Sequence, residues 1–155
     1  MPYLIDGHNL IPKLGLRLDS PDDETSLIAL LQEFCRLRRT RLEVYFDGAP
    51  PGGATTRAAG AVTAHFVRQG SSADAALEKR LESLGRSAKN WSVVSSDRRV
   101  QAAARAAHAG VLSSEEFALE ISRAKAIGLQ THKKEANLGP EEIEDWLDFF
   151  SRRKD

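Results

Sequence analysis

Apolar positions in this chain fall into short runs separated by longer stretches of helical spacing. Tyr3-Leu4-Ile5 is an apolar run that ends at Asp6-Gly7-His8-Asn9, and Leu42 to Phe46 ends in a similar way at Asp47-Gly48. Ala61 to Val67 alternates through Val62, Ala64 and Phe66, Trp91 to Ser95 forms a fourth run, and Gly110-Val111-Leu112 a brief fifth. Runs of this length and residue type predict strands. In the first, Gly7 is expected to permit a sharp turn that leaves Asp6 at the strand's carboxyl end.

Helical spacing fills the gaps. Ser20 suits an N-cap and Pro21 the first helical position, ahead of Leu27, Leu30, Leu31, Phe34 and Leu37, with arginines on the opposite face. Gly70-Ser71-Ser72 breaks the third strand and opens a helix marked by Leu77, Leu81 and Leu84, with Asp74 in its first turn and Glu78 one turn on. An alanine-rich helix runs through Val100, Ala103, Ala104 and Ala107, and Ser113-Ser114-Glu115-Glu116 reads as a capping box ahead of Phe117 and Ile121. Periodicity is weak from about Lys125 to Gly139, a stretch expected to be mobile. Pro140 then starts a last helix, residues 140–152, whose Ile143, Trp146, Leu147 and Phe150 are expected to dock on the core. Gly48 to Gly60, with Pro50-Pro51-Gly52-Gly53 at its heart, reads either as a flexible loop offering Arg57 to a substrate or as a plain connector. Alternating strands and helices predict an α/β fold, a single domain over residues 1–155 with a mostly parallel central sheet and flanking helices.

Composition changes this picture little. The 155 residues are 41% hydrophobic and carry 22 Lys+Arg against 22 Asp+Glu, so net charge does not select a polyanionic partner. The basic residues are nevertheless clustered: Arg36, Arg38, Arg39 and Arg41; Arg98 and Arg99; Lys133 and Lys134; Arg152, Arg153 and Lys154. Cys35 is the single cysteine, which rules out an intramolecular disulfide and suits a reducing compartment. No apolar run is long enough for a membrane span, and the opening strand is expected to leave no place for a cleaved leader. Together these favour a cytoplasmic protein.

The candidate chemistry is acidic. Asp6, Asp47, Asp74 and Asp97 all fall at the carboxyl end of a strand or in the first turn of a helix that follows one. Parallel strands would bring them to one edge, where ligands of open α/β sheets bind. Each has a bland alternative, since Asp-Gly is a common turn and a carboxylate at a helix start is a common cap. Their joint placement is what the bland readings leave unexplained. Converging carboxylates repel unless a cation sits among them, and hard oxygen ligands select Mg²⁺ or Mn²⁺ over zinc. Asn9 could orient a metal-bound water or simply cap a turn. Ser95 and Ser96 could reach carboxylates or phosphate, or merely close a strand end. His8 is read as exposed beside the site, His65, His108 and His132 as structural or surface, and Cys35 as core.

Asp6-Gly7-His8-Asn9, Val44-Tyr45-Phe46-Asp47-Gly48, Ser72-Ala73-Asp74, Val93-Val94-Ser95-Ser96-Asp97 and Glu142-Ile143-Glu144-Asp145-Trp146-Leu147 together resemble the YacP-like NYN-domain family, in order and over nearly the whole chain. That family belongs to the PIN-like group of nucleases. The resemblance implies a Rossmann-like sheet and Mg²⁺- or Mn²⁺-dependent endoribonuclease activity, with Asp6, Asn9, Asp47, Asp74 and Asp97 as the catalytic set. Of these the four aspartates would be the metal ligands. Where family members often place another acid, this chain has Ala75-Ala76, which leaves Glu78 as the nearest helper. Ser96, Arg57, Arg98 and Arg99 are the candidate RNA contacts. A non-catalytic RNA- or ribosome-binding module is the alternative, and a small-molecule phosphohydrolase a third option.

Overall fold

The computed structural model describes residues 2–15, 21–48, 55–68 and 71–136. Six strands form one sheet: β1 (Tyr3–Asp6), β2 (Leu42–Asp47), β3 (Thr55–Ala59), β4 (Val62–Val67), β5 (Ser92–Val94) and β6 (Gly110–Leu112). Their order is β3-β4-β2-β1-β5-β6, parallel throughout except for β3, which runs antiparallel to β4 at one edge. Among the helices, α1 (Gly7–Leu10) is a single turn, continued by a 3-10 segment, Ile11–Leu14. The others are α2 (Pro21–Arg38), α3 (Ala73–Leu84), α4 (Arg98–Ala106) and α5 (Ser114–Ala136).

Two cores flank the sheet, and the alternation of side chains along each strand divides the residues between them. Ile5, Val44, Phe46, Val62, Ala64 and Val94 face α2 and α5, where Leu27, Leu31, Phe34, Phe117 and Ile121 are fully buried or nearly so. Leu4, Tyr45, Val67 and Val93 face α3 and α4, against Leu77, Leu81, Val100 and Ala104. Alanine at positions 73, 88 and 104 lets the second layer lie close to the sheet. The chain leaves β1 for α1 and α2 on one face, and β5 for α4 on the other. Such a reversal between neighbouring strands opens a crevice at their carboxyl ends.

Three expectations need revision. The Gly48–Gly60 stretch contains β3, because Thr55 to Ala59 finds the free edge of β4 and satisfies its backbone there. Helix α5 runs unbroken to Ala136, through the segment whose periodicity is weak. Phe117, Ile121 and Ala124, ahead of that segment, supply the helix's buried face. Gly7 sits in α1 and serves packing instead of a left-handed turn: a Cβ there would collide with the Phe46 ring and fall 3.0 Å from the Tyr45 carbonyl. Of the two Asp-Gly pairs it is the second whose glycine, Gly48 at φ 81°, takes the left-handed backbone. The Ser20 cap and the 140–152 helix lie outside the described residues.

Candidate functional site

Strand parity explains why the acids meet. Asp6 pairs with Tyr45, so both point toward α3 and α4, and Asp47 follows one pleat later on that same face at the carboxyl edge. Asp74 lies in the first turn of α3, and Asp97 is the residue capping α4. Asp6 is the most enclosed of them, only 7% exposed. Burial pushes its carboxyl up to about 6, with the Asp74 and Asp47 charges adding to the rise. The Asn9 backbone N–H and the Ser95 hydroxyl, the latter at 3.4 Å, oppose it only in part. Burial likewise raises Asp74, followed by the charge of Asp97. The Arg99 guanidinium pulls it back, and Asp47 and Glu78 add to the rise. The four aspartates therefore share one electrostatic neighbourhood.

Two of them also hold backbone. Asp47 Oδ1 accepts the Ala73 N–H at 2.7 Å at the start of α3, and Asp97 Oδ1 accepts the Arg99 N–H at 2.8 Å as the N-cap of α4. Each keeps a second oxygen. Among the described residues none of the four aspartates forms an ion pair with a lysine, arginine or histidine. Nor do three His, Cys, Asp or Glu side chains among those residues close into a complete ligand set. The donor chemistry nonetheless fits a hard divalent ion. The donors are all carboxylate oxygens, one of them is buried without a counter-charge, and Mg²⁺ keeps several of its waters and needs only one or two direct carboxylates.

The flanking residues divide by role. Asn9 Oδ1 accepts the Ser96 N–H at 2.8 Å and the Ser114 hydroxyl at 2.6 Å, so that oxygen is occupied within the protein. The Ser96 hydroxyl donates to Glu115 at 2.8 Å and accepts from the Ser114 N–H, which engages it away from substrate. Arg98 is exposed at the start of α4, beside the acids. Arg99 is exposed too but bound by Glu78 at 2.7 Å, so Glu78 holds an arginine and is not free to assist a metal. Arg57 stands on β3 opposite Ala64, hence on the α2/α5 face and away from the acids.

Other residues move from their expected places. His8 is half-buried, 2.9 Å from Glu24 of α2 and packed on Phe46, so it ties α1 to α2 and is not left open to substrate. The arginines at the end of α2 lie at the amino end of the sheet, because β2 begins at Leu42. There Arg36 pairs with Glu33, Arg38 with Glu120, and Arg41 lies over the Trp91 ring at 5.4 Å. They cannot clamp a strand at the acid edge. Arg68, exposed just past β4 at that edge, was not singled out by sequence, since nothing distinguishes it there from a solvated arginine.

The sheet is parallel but for β3, and acids stand at the carboxyl edge of its central strands. The chain belongs to the YacP-like NYN domain family, a nuclease-like fold associated with RNA binding and cleavage, whose model matches residues 3–151. Its fold is that of the crystal structures of Rae1 (YacP) from Bacillus subtilis. A tryptophan-to-leucine mutant of that protein matches with a TM-score of 0.72 at 24% identity, covering 92% of this chain and 90% of that one. The unmutated protein matches with a TM-score of 0.66 at 24% identity, over 98% and 93% of the two chains. No curated protein matches by sequence. Among the described residues no helix is long and apolar enough to cross a membrane.

Proposed function

We propose that this chain is a metal-dependent endoribonuclease acting at the carboxyl edge of β1, β2 and β5. The observation that carries the reading is Asp6: a buried carboxyl with no cationic partner among the described residues, pushed up by burial and by the charges of Asp74 and Asp47. A fold does not keep such a group for stability, since an apolar residue there would cost less. Asp6, Asp47, Asp74 and Asp97 would hold Mg²⁺ or Mn²⁺. When bound, the ion supplies charge stabilisation and a more acidic water for phosphodiester hydrolysis. The Ser95 hydroxyl orients Asp6. Arg98 and Arg68, exposed at that edge, provide phosphate contacts that position RNA without reading its sequence. Residues 1–155 are read as one such domain, working in the cytoplasm.

A second reading has an observation of its own. Asp47 and Asp97 each bind a helix-start N–H, and no complete ligand set closes among the described residues, as in a module that binds RNA or the ribosome without cutting. Purified protein mixed with single- and double-stranded RNAs, in Mg²⁺, in Mn²⁺ and in chelator, separates the two. Cleavage that chelator abolishes supports the nuclease. Salt-sensitive binding with no cleavage in either metal replaces it with the binding module.

A further inference from the structure

The Ser113-Ser114-Glu115-Glu116 segment resolves into two pairs with different work. Ser113 and Glu116 make the capping box: the Glu116 N–H donates to Ser113 Oγ at 3.0 Å and the Ser113 N–H to Glu116 Oε1 at 3.0 Å. Helix α5 is thereby capped without Ser114 or Glu115. Those two turn toward the acid edge instead. The Ser114 hydroxyl is fully buried and donates to Asn9 Oδ1 at 2.6 Å, while the Ser114 N–H donates to Ser96 Oγ at 3.0 Å. Ser96 Oγ in turn donates to Glu115 Oε2 at 2.8 Å, and Glu115 Oε1 pairs with Lys13 at 2.9 Å. Lys13 lies in the 3-10 segment that continues α1.

We propose that Ser114 and Glu115 are positioning residues for the acid site, joining the turn after β1 to the turn after β5. The first turn carries Asn9, three residues after Asp6 in the turn that Asp6 opens; the second carries Ser96, next to Asp97. Asn9 Oδ1 accepts from both the second turn and α5, so the separation of Asp6 and Asp97 is set by one shared acceptor. A buried hydroxyl spent on an asparagine that the helix does not need is the mark of such a brace. The inference rests on the reading of this edge as a metal-dependent RNA-cleaving site. It concerns the residues behind the carboxylates, where loss of an outer partner weakens metal affinity or turnover by roughly 10–100-fold.

The test uses Ser114→Ala, Glu115→Ala and Glu115→Gln in the full chain. Steady-state cleavage and calorimetric titration with Mn²⁺ are the readouts. Glu115 is more than half exposed, so its variants fold even if Ser114→Ala is poorly tolerated. Ser114→Ala is expected to lower kcat and Mn²⁺ affinity by about tenfold or more with KM for RNA little changed. Glu115→Ala should do the same more weakly. Glu115→Gln should recover, because its amide oxygen still accepts from Ser96 while the Lys13 ion pair is gone. Variants that melt earlier but keep kcat and Mn²⁺ affinity make the brace purely structural and overturn the proposal. So does a glutamine variant no better than alanine. A wild-type chain that binds Mn²⁺ without cutting RNA defeats the functional reading alone, and the Mn²⁺ affinities still decide the brace. A wild-type chain that does neither overturns both.

Discussion

Glu43 and Asp6 sit on neighbouring strands, on the same face of the sheet, one pleat apart in register. Their surroundings are opposite. Glu43 receives the Tyr45 hydroxyl at 2.8 Å and the Arg80 guanidinium through three bonds of 2.9 to 3.2 Å, with His65 at 3.3 Å completing the ring. Burial opposes ionisation, but these partners together outweigh it and hold the carboxyl down at about 2. Arg80 and Arg41 then lie over Trp91, at 5.5 and 5.4 Å. Asp6 has one long serine contact, and stands at about 6. The first acid is saturated and anchors α3 to the sheet. The second is left under-satisfied where α3 and α4 begin. A carboxylate whose lone pairs are all taken is structure, and one whose charge is left unanswered is available for a ligand.

The sharpest way to break this contrast is to neutralise each acid in turn. Asp6→Asn is expected to abolish RNA cleavage, by at least about a thousandfold, in line with the loss of a group central to charge stabilisation. In chelator the same variant should be more stable than wild type at pH 7, by on the order of 3 kcal/mol, the cost of holding an acid about two units above its ordinary range. It should also lose most of the Mg²⁺ stabilisation, which for wild type is ~2.7 kcal/mol at a hundred times the dissociation constant. Glu43→Gln should do the reverse, destabilising by about 3 kcal/mol through the orphaned Arg80 while leaving the Mg²⁺ response intact. Thermal melts in chelator and in Mg²⁺, run beside a cleavage assay, measure all of this. Equal responses from the two variants would erase the distinction.

The two acids also give stability opposite pH dependences. Asp6 binds its proton more tightly folded than unfolded, so the metal-free fold gains stability as pH falls from about 6 toward 3.8. Glu43 binds its proton less tightly folded, so its contribution is complete above 4.5 and is lost as pH falls toward about 2. Metal-free protein should therefore be most stable between about pH 4 and 5, not near neutrality, with a difference from pH 7 of about 2 kcal/mol. Denaturant melts at half-unit steps would show it. Asp6→Asn should flatten the neutral limb and Glu43→Gln the acid limb.

Much of this arrangement was legible beforehand, for a physical reason. Asp6, Asp47 and Asp97 follow apolar runs and Asp74 follows Ser72, so parallel strands alone suffice to gather them, and the order of the motifs carries the family. What pairing and packing decide was not legible. Thr55 to Ala59 is too small and polar to look like a strand until β4 offers it an edge. Glu43, Tyr45, His65 and Arg80 are spread over β2, β4 and α3, and only register and helix placement show that they meet. Ser114 and Glu115 were visible only as half of a capping box, because a doubled Ser-Ser-Glu-Glu does not say which pair caps.

A smaller effect separates charge from capping at Asp97. Asparagine caps a helix about as well as aspartate, so Asp97→Asn keeps the bond to the Arg99 N–H and removes a charge that raises Asp74. Cleavage and Mg²⁺ stabilisation should fall, and the metal-free melting temperature should rise, by less than for Asp6→Asn because Asp97 is only half-buried. A variant that cuts normally would reduce Asp97 to a cap.

The smallest expected effect concerns which arginines meet RNA. Position in the sheet makes Arg98 a candidate and excludes Arg36 and Arg38, which lie at the opposite end and are paired with Glu33 and Glu120. Each phosphate contact on single-stranded RNA contributes about −0.7 to the slope of log affinity against log salt. Arg98→Ala should therefore flatten the slope by about that amount while leaving melting behaviour unchanged. Replacing Arg36 and Arg38 together should leave the slope alone. Arg99 is intermediate, because RNA must compete with Glu78 for it. Glu78→Gln, which releases Arg99 without removing it, should tighten RNA binding and steepen the slope. Filter binding across a salt series reads all three variants. A slope that responds to Arg36 and Arg38 but not to Arg98 would move the RNA path to the amino end of the sheet, away from every acid that makes this edge a candidate site.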